Sequence, residues 1–380
     1  MMLGWRDWKR MTASEIAMQI GVLLLGIVVV VGAYFSATIN LAELGITSGL
    51  SFLDRDTGWG YSFSLIERSI DDTYRKTLLI GFMNTLFVGF ISIFFATFLG
   101  FIVGSMRDSE NPGLKTISSV YVQIFRNVPL ILQIVFLYSI LIHFPSPKQA
   151  MSIGDAIFMS NRGIMVPILT IPLWSVVAVA IAAIALAVGL IRSNVSSLHS
   201  FLIWLVGVAV LTILAIIFFT PEGSSIVSVP HLKGLKFRDG LTLPVELVAM
   251  IIGIVFYSAA YIGEVVRGGL DEVPKGLIEA GESLGLGRFK VWWTIKMPMA
   301  LRSIIPPLGN QWIFTMKATT VGVAIGFSDL FYIVSTSITQ SGQTLELIGI
   351  LMAGFLAVNF TLAQIVSLLN ARLALKGYGS

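Results

Sequence analysis

Long apolar segments constrain the fold of this chain more than any other feature. Eight of them approach or exceed the roughly 20 residues that a helix needs to cross about 30 Å of hydrocarbon. They lie at about 16–37, 77–104, 128–144, 173–191, 201–220, 246–266, 305–326 and 345–370. Only 12% of the residues are charged, whereas a soluble domain carries about 25%. The sequence therefore predicts an all-α polytopic membrane protein with about eight transmembrane helices in a lipid bilayer.

The basic residues predict how these helices are oriented. With the N-terminus inside and the spans alternating, 15 of the 25 lysines and arginines fall inside: Arg6, Lys9, Arg10, Arg107, Lys115, Arg126, Arg192, Arg267, Lys275, Arg288, Lys290, Lys296, Arg302, Arg372 and Lys376. Such an excess is typical of the cytoplasmic side, so both termini are predicted to be cytoplasmic. The first span is too long for a signal peptide and lacks a cleavage site, so we expect it to be retained. The long acidic segment at about 38–76 is predicted to lie outside.

Several classes of function are excluded by what the sequence lacks. There is no cysteine, so neither a disulfide nor a cysteine-ligated metal can form. There is no G-x-x-x-x-G-K-[ST] loop to hold nucleotide phosphates. His143, His199 and His231 are far apart in sequence, and neither a metal site nor a Ser-His-Asp arrangement is expected. The net charge of +4 indicates membrane orientation rather than nucleic-acid binding. We therefore predict no enzyme activity and no cofactor or metal on this chain.

The most basic loop of the chain, at about 267–304, contains the pattern of a short amphipathic helix. Its apolar positions at helical offsets are Leu277, Ile278, Gly281 and Leu284. Pro274 suits the start of such a helix, and Gly285 suits its end. This face either presses into a groove on a partner protein or lies on lipid, helped by Arg288 and Lys290. The periodicity alone does not choose between the two.

The same loop carries a spaced motif. Glu279-Ala280-Gly281 is followed after three residues by Gly285, and after nine more by Ile295-Lys296-Met297-Pro298. The motif resembles the EAA loop of bacterial ABC importer permeases, whose pattern is E-A-A, three residues, G, nine residues and I-x-L-P. Gly281 stands where that family usually has Ala, and Met297 where it has Leu. An exposed glycine weakens a helix by up to about 1 kcal/mol, which docking on a partner offsets.

Further blocks extend the resemblance in the same order along the chain. They are Gly81, 84–86, Gly100, Tyr121, 126–130, 264–270, 273–276 and 306–311. With Asn161-Arg162-Gly163, the extra first span and the insertion at about 145–245, they resemble a permease subunit of the bacterial general L-amino-acid importers. These are longer relatives of the histidine-type permeases for polar amino acids. The resemblance covers nearly the whole chain, is weakest at 173–220, and implies a type I ABC importer permease core of the MetI-like fold.

The resemblance implies four regions in the chain. Residues 1–76 form an N-terminal extra span and periplasmic loop, and residues 77–144 the first part of the permease core. Residues 145–245 form inserted spans and loops, and residues 246–380 the second part of the core with the cytoplasmic EAA-like loop.

The resemblance also implies partners and a function. The chain is expected in the bacterial inner membrane, paired with a second homologous permease, with a heterodimer favoured. Two copies of an ABC ATPase, which bind ATP and Mg²⁺, are expected at the cytoplasmic loops, and a periplasmic amino-acid-binding protein delivers the L-amino-acid substrate. The alternative is an ATP-independent secondary transporter or channel. That class predicts an intramembrane carboxylate or an inverted repeat, and neither is clear in the sequence.

Two sets of site residues follow from the resemblance. The ATPase-coupling residues are Leu277, Ile278, Glu279, Ala280, Gly281, Leu284, Gly285 and Pro298. The predicted substrate path consists of Asn310, Gln311, Lys317, Thr319 and Thr320. Lys317 lies about 22 Å along a helix that starts near Arg302, past the middle of the bilayer. Ala318 replaces a residue that is often Asp or Asn in the family, which argues against a strong cation site. The alternative is that these polar residues only hold helices together.

Other polar and small residues within spans have structural interpretations. Arg126 is expected at the membrane interface, reaching lipid headgroups, with a cytoplasmic gate as the alternative. Glu264 and Arg267 have the spacing of a helix-end ion pair. Asn84 and Thr85 are expected to hydrogen-bond between helices. The Gly100-x-x-x-Gly104 pair permits two helices to approach closely.

Overall fold

Most of the described chain is helical. The computed structural model describes residues 12–43, 49–193, 197–221, 225–234 and 236–373. Its α-helices in these ranges are α1 (Ala13–Glu43), α2 (Tyr74–Asp108), α3 (Pro112–Asn127), α4 (Leu130–Ile142), α5 (Leu173–Arg192), α6 (Ser197–Phe219), α7 (Val245–Asp271), α8 (Lys275–Ser283), α9 (Arg288–Val291), α10 (Met297–Ala318), α11 (Leu330–Ser341) and α12 (Thr344–Leu373). Arg6, Lys9, Arg10 and Lys376, which contribute to the predicted orientation, lie outside the described residues, as do the side chains of Arg192 and Arg372.

The helices confirm a multi-pass membrane protein but not the count of eight spans. Among the described residues, five helices are long and apolar enough to cross a bilayer, at Ala13–Asn40, Tyr74–Asp108, His199–Phe219, Val245–Asp271 and Thr344–Ala371. The number rises to seven if each of two bent helix pairs is one span. The remaining predicted span, at 173–191, is the shorter apolar helix Trp174–Leu190. The whole of α5, Leu173–Arg192, has 20 residues and is about 30 Å long at 1.5 Å per residue, which matches the roughly 30 Å of hydrocarbon.

One of the bent pairs joins α3 to α4 with an angle of 101°. The side-chain oxygen of Asn111 accepts hydrogen bonds from the backbone N–H groups of Gly113 and Leu114 and so caps the start of α3. The helix ends at Asn127 because Pro129 disfavours helical conformation at the residue before it, Val128. The chain then turns sharply into α4. The sequence pattern does not predict α3 as a separate helix.

Short strands occupy the segments on either side of α5 and α6, which the sequence predicts to be loops. β1 (Met151–Ile153), β2 (Ile157–Ser160), β3 (Gly163–Val166) and β8 (Leu241–Leu243) form an antiparallel sheet in that order. β4 (Ile168–Leu169) pairs with β5 (Val227–Ser228), and β6 (His231–Lys233) with β7 (Lys236–Arg238). Gly163 has φ of 132°, and a β-carbon there would collide with the carbonyl oxygen of Leu243, so this register requires glycine.

The described residues form two compact units, with α2 shared between them. One comprises residues up to Leu86 together with Ser328–Leu368. Its core contains Phe52 and Tyr61 from the segment before α2, packed with α11 and α12 residues such as Ile333 and Leu347. The predicted outside loop is therefore anchored by apolar side chains as well as carrying acids.

Asn84 and Thr85 are buried in the first unit, and their side chains hydrogen-bond to residues of that unit. The Asn84 amide donates to the carbonyl oxygens of Phe63 at 3.0 Å and Ser328 at 2.8 Å. The Thr85 hydroxyl accepts from the backbone N–H of Leu330 at 2.9 Å. The predicted structural role of both side chains is confirmed.

The second unit comprises Phe87–Phe327 and Leu369–Ser380. Its core is built where α2, α7 and α10 meet, around Ala96, Ile262 and Ile304. A β-carbon at Gly104 would lie 2.5 Å from the Val266 β-carbon and 2.7 Å from the Gly263 carbonyl oxygen. The absence of a side chain at this position therefore lets α2 and α7 approach closely, as the sequence predicts.

Candidate functional site

The predicted amphipathic helix forms as α8, between α7 and α10. It begins after Pro274, whose fixed φ suits a helix start. At its end, the Leu286 N–H donates to the Gly281 carbonyl at 3.2 Å and the Gly285 N–H to the Glu282 carbonyl at 2.8 Å. Gly285 has φ of 80°, the left-handed conformation that this pair of bonds requires. The glycine of the spaced motif therefore terminates the helix.

The predicted coupling residues fall into two environments. Gly281 is buried, and a β-carbon there would lie 2.7 Å from the Ile295 side chain and 3.2 Å from that of Val291. Ile278 packs against the core shared by α2, α7 and α10. The exposed members are Leu277, Glu279, Ala280, Leu284, Gly285 and Pro298. One side of α8 is thus fixed to its own chain, and the opposite side is open.

Large apolar side chains are exposed along the loop from the end of α8 to the start of α10. Leu284 is 81% exposed, Phe289 80% and Trp293 62%. Exposed apolar groups gathered on an otherwise polar segment are typical of a surface that binds a partner or lipid. This cluster is the strongest sign of an interaction surface in the loop.

A buried ion pair fixes the segment that follows α8. The Lys296 ammonium donates to both carboxylate oxygens of Asp108 at 2.7 Å, with side chains only 17% and 10% exposed. A second pair, Arg288 with Glu110 at 2.5 Å, is exposed on the surface. Asp108 is the last residue of α2 and Glu110 lies two residues beyond it, so both ion pairs hold the loop to the end of that helix. Between them lies a groove of about 480 Å³ whose lining includes Ile278, Glu282 and Trp292.

A π-helical turn at Trp292–Lys296 precedes Pro298. A proline lacks the N–H for a helical bond and crowds the carbonyl four residues back, which here belongs to Thr294. The wider π-turn, with bonds between residues five apart, accommodates that proline and lets α10 continue. α10 then runs unbroken through Pro306 and Pro307 to Ala318, rather than being delayed by them.

Three of the five predicted path residues line one cavity. Asn310, Gln311 and Lys317 of α10 face Tyr257 and Tyr261 of α7. With Ile313 and Phe314, they line a cavity of about 420 Å³, named here the tyrosine–lysine cavity. The Tyr257 hydroxyl donates to the Tyr261 hydroxyl at 3.3 Å. The cavity therefore combines amide groups, a cation and phenol hydroxyls on an aromatic wall.

The two predicted path threonines bind the backbone next to this cavity. The Thr319 hydroxyl is buried and donates to the Met316 carbonyl at 3.0 Å, and the Thr320 hydroxyl donates to the Lys317 carbonyl at 2.9 Å. Both residues belong to the 3₁₀ turn Thr319–Ile325 that follows α10. Sequence reasoning missed Tyr257 and Tyr261, although two tyrosines four residues apart on an apolar helix were a visible signal.

Glu264 is the centre of an ion-pair cluster that joins α2, α3 and α7. Its carboxylate accepts from Arg107, from Arg126 at 3.3 Å, and from Arg267 at 2.7 Å. Arg267 also pairs with Asp271 at 2.5 Å. The predicted Glu264–Arg267 pair is present but is only part of the cluster. Arg126 contacts Glu264 and lies over the Tyr261 ring, 5.0 Å from its centroid, while its side chain stays 40% exposed, so its contact with lipid headgroups stays a prediction.

A second cavity adjoins this cluster. It has a volume of about 440 Å³ and is named here the arginine cavity. Its lining residues are Arg107, Val122, Gln123, Arg126, Asn127, Tyr261 and Glu264. Tyr261 lines both cavities. Among the described residues, no three His, Cys, Asp or Glu side chains are grouped to hold a metal ion.

Comparison with known proteins assigns the chain to a family. Residues 191–374 match the family model described as "Binding-protein-dependent transport system inner membrane component". The chain is 36% identical over 362 residues to the putative amino-acid ABC transporter permease protein YhdX of Escherichia coli (strain K12), covering 93% of this chain and 92% of that protein.

A second relative agrees with this assignment. The general L-amino acid transport system permease protein AapQ of Rhizobium johnstonii (strain DSM 114642 / LMG 32736 / 3841) is 32% identical over 365 residues, covering 93% of this chain and 91% of that protein. A solved structure described as "Crystal structure of an amino acid ABC transporter with histidines" aligns with 79% of this chain and 95% of its own, with 18% identity and a TM-score of 0.48.

YhdX, AapQ and the family model confirm the predicted family and the permease function, and the helices confirm the mostly helical fold. The relatives do not favour the alternative of a secondary transporter that works without an ATPase. The family model and the apolar helices together indicate a multi-pass inner membrane protein. The chain therefore belongs to the family of ABC transporter permeases, the inner membrane components of binding-protein-dependent transport systems.

Proposed function

We propose that this chain is the permease subunit of an ATP-driven importer of L-amino acids. It pairs with a second homologous permease, as a heterodimer, around a shared path through the inner membrane, with both termini in the cytoplasm. Two copies of an ABC ATPase, with ATP and Mg²⁺ bound to them, engage the cytoplasmic side. A periplasmic amino-acid-binding protein delivers the substrate from the other side. The amino-acid class of the substrate is supported by the printed names of YhdX and AapQ.

The open side of α8 is the observation that carries the coupling part of this proposal. Leu277, Ala280 and Leu284 lie at offsets of three and four residues, and all are exposed. Glu279 is also exposed, on another face of the same helix. A short helix with such a stripe fits a groove on a folded partner. The alternative, that the helix lies on lipid, would favour a polar face rich in Lys and Arg, but the charged residues of α8 are one cation, Lys275, and two acids, Glu279 and Glu282.

The inner side of α8 gives a route for movement from the ATPase into the membrane. Ile278 and Gly281 pack on their own chain, and Lys296 is held by Asp108 at the end of α2. Because packed side chains transmit displacement rather than absorb it, a shift of α8 would carry the start of α10 with it. α10 and α7 line the tyrosine–lysine cavity, so the shift would reach the substrate path.

The tyrosine–lysine cavity is the proposed path for a zwitterionic amino acid. The Lys317 ammonium complements a carboxylate, and the amides of Asn310 and Gln311 both donate and accept hydrogen bonds. The phenol oxygens of Tyr257 and Tyr261 accept from an ammonium group. We propose that Thr319 and Thr320 contribute by fixing the turn that carries Lys317, through their bonds to the Met316 and Lys317 carbonyls.

A pull-down from native membranes in mild detergent tests the proposal, with bound proteins identified by mass spectrometry. We expect a second permease and an ABC ATPase to co-purify. The double substitution Glu279→Arg with Ala280→Arg places two bulky cations on the open side of α8 and should abolish ATPase binding. Because both positions are exposed, the chain itself should still fold.

The matched control is Glu67→Arg, which makes the same charge reversal at an exposed residue in the segment before α2. This variant should retain the ATPase. Recovery of the unaltered chain without any ATPase would contradict the proposal. Equal ATPase recovery with the α8 double variant and the Glu67 control would contradict the role of α8 alone.

A further inference from the structure

A polar stripe runs down one face of α7 from the tyrosine–lysine cavity towards α8. Tyr257, Tyr261 and Glu264 lie at i, i+4 and i+7, which places them on the same side of the helix. Seven residues correspond to about 10 Å along the axis. Tyr261 lines the tyrosine–lysine cavity and the arginine cavity alike. The tyrosine–lysine cavity and the arginine cavity therefore lie one after the other along one face of α7, and the arginine cavity is nearer to the end of α7 that leads to α8.

The arginine cavity is more cationic than its own ion pairs require. Arg107 and Arg126, which line the cavity, and Arg267 next to it are all bound to Glu264. Among the described residues, the other carboxylates acting on these arginines are Asp271, paired with Arg267, and Asp108, paired with Lys296. With Lys296 included, four cations thus face three carboxylates. Within the described part of the chain, the buried Nε atom of Arg107 also has no hydrogen-bond partner. A cluster with more donors than acceptors has capacity for one further carboxylate.

Arg126 is the guanidinium held least tightly by Glu264. The distance from the Arg126 guanidinium nitrogen to the Glu264 carboxylate oxygen is 3.3 Å, longer than the 2.7–2.9 Å usual for a charge-assisted hydrogen bond. Arg267 binds the same carboxylate at 2.7 Å. Arg126 is also the most exposed of the three side chains, at 40%. Its contact with the Tyr261 ring keeps it at the boundary between the two cavities. Of the three arginines, Arg126 therefore loses the least interaction with Glu264 when it turns to bind an incoming anion.

We propose that the arginine cavity is a second amino-acid station, in which Arg126 leaves Glu264 to bind the carboxylate of the transported amino acid. The exchange replaces one carboxylate partner of Arg126 with another, so the guanidinium stays paired, and the Glu264 oxygen that Arg126 releases is free to accept from the ammonium group of the amino acid. Arg107 and Arg267 keep Glu264 neutralised while Arg126 is engaged. The amide side chains of Gln123 and Asn127, which line the same cavity, supply further hydrogen bonds. This inference rests on the proposed transport function and adds a defined exit site to it.

Chemical protection of Arg126 tests the station directly in the unaltered complex. Phenylglyoxal modifies accessible arginines, and the modified peptide is quantified by mass spectrometry. The complex is kept in dodecyl maltoside, which carries no phosphate, and treated with a mixture of the twenty common L-amino acids or with the corresponding amino-acid amides. We expect the amino acids to slow modification of Arg126 at least threefold and the amides to have no effect. Equal modification under both conditions would overturn the proposal.

A lipid phosphate is the competing source of an anion at this site, and a third arm of the experiment separates it. Phosphatidylglycerol is added back to the same complex without amino acids. Protection by this lipid but not by the amino acids would overturn the proposal in favour of a lipid site. Protection by amino acids alone supports the station.

Transport by substituted complexes provides the second test. In proteoliposomes, Arg126→Gln should lower the maximal rate of amino-acid uptake at least tenfold while changing KM less than threefold, because delivery to the first cavity is untouched. Arg126→Lys should recover part of the rate. Lys115→Gln is the matched control, since it removes a cation from the same helix at an exposed position, and should stay within twofold of the unaltered chain.

The outcomes separate the station from the proposed function. An Arg126→Gln rate equal to that of Lys115→Gln would overturn the station and leave the importer intact. Absence of any ATP-dependent uptake by the unaltered complex would overturn both. If the Arg126→Gln complex fails to assemble, the protection experiment on the unaltered complex decides the question.

Discussion

Replacing Asp108 by Asn should destabilise this protein, because it leaves the largely buried Lys296 ammonium without a charged partner. Lys296 binds both Asp108 oxygens at 2.7 Å, and the two side chains are 17% and 10% exposed. Removing one partner of a buried ion pair costs about 3–5 kcal/mol. The asparagine retains one oxygen that can accept from the lysine, which places the expected cost near the lower end, about 3 kcal/mol. That is a change of roughly a hundredfold in the equilibrium between folded and unfolded protein.

The assay is the free energy of unfolding, from titration of the detergent-solubilised chain with sodium dodecyl sulfate followed by tryptophan fluorescence. Glu110→Gln is the matched control, because it breaks an exposed pair in the same region, with side chains 78% and 79% exposed. An exposed pair contributes about 0–1 kcal/mol. The two substitutions differ mainly in burial, so their difference measures what burial of the ion pair contributes.

The double substitution Asp108→Leu with Lys296→Met completes the comparison. Replacing a buried pair by apolar residues of similar volume is often neutral or stabilising, so this variant should be more stable than Asp108→Asn. If Asp108→Asn costs no more than Glu110→Gln, the pair is not a buried anchor and the proposed route of movement through Lys296 is refuted.

Two further predictions concern helix packing and the substrate path. Gly104→Ala should cost about 1–3 kcal/mol of unfolding free energy through overpacking, because the new β-carbon would lie 2.7 Å from the Gly263 carbonyl oxygen. Gly268→Ala is the control, because a β-carbon there meets nothing within 4 Å; it should be neutral or stabilise α7 by up to about 1 kcal/mol. If Gly104→Ala and Gly268→Ala change the unfolding free energy equally, the close contact between α2 and α7 is refuted. Lys317→Met should raise the KM for amino-acid uptake at least tenfold, whereas Thr319→Val should change the KM less than threefold. If both variants keep the KM and the substrate range of the unaltered chain, the tyrosine–lysine cavity is excluded as the substrate path.

The sequence predicts the apolar helices well for a physical reason. A helix within a bilayer must satisfy its own backbone hydrogen bonds and show an apolar surface over its whole length. That demand is local and can be read from consecutive residues, as in α2 and α7.

The strands between β1 and β8 could not be read from the sequence in the same way. Each is two to four residues long, too short for an alternating pattern to stand out. β3 pairs with β8 across the whole of α5 and α6. Such a partnership depends on tertiary structure rather than on local periodicity.

In the site too, residues that are close in sequence can be predicted to act together, whereas residues that are far apart cannot. The spaced motif of α8 was visible because Glu279, Gly281 and Gly285 are close in sequence. The sequence predicts only one ion pair of the Glu264 cluster, the pair with Arg267, which is three residues away. Arg107 and Arg126 are 157 and 138 residues away from Glu264. Ion pairs over such distances carry no sequence signal in a single chain. The stripe of Tyr257, Tyr261 and Glu264 did carry one, in its helical spacing.

Uptake of labelled amino acids by proteoliposomes is the most direct test of the central claim, that this permease is driven by an ATPase acting through α8. The complex is reconstituted with its periplasmic binding protein, and ATP with Mg²⁺ is supplied on the ATPase side. The account predicts uptake that requires ATP and is lost with the Glu279→Arg and Ala280→Arg double substitution. Uptake that persists without ATP and follows an imposed ion gradient would contradict it.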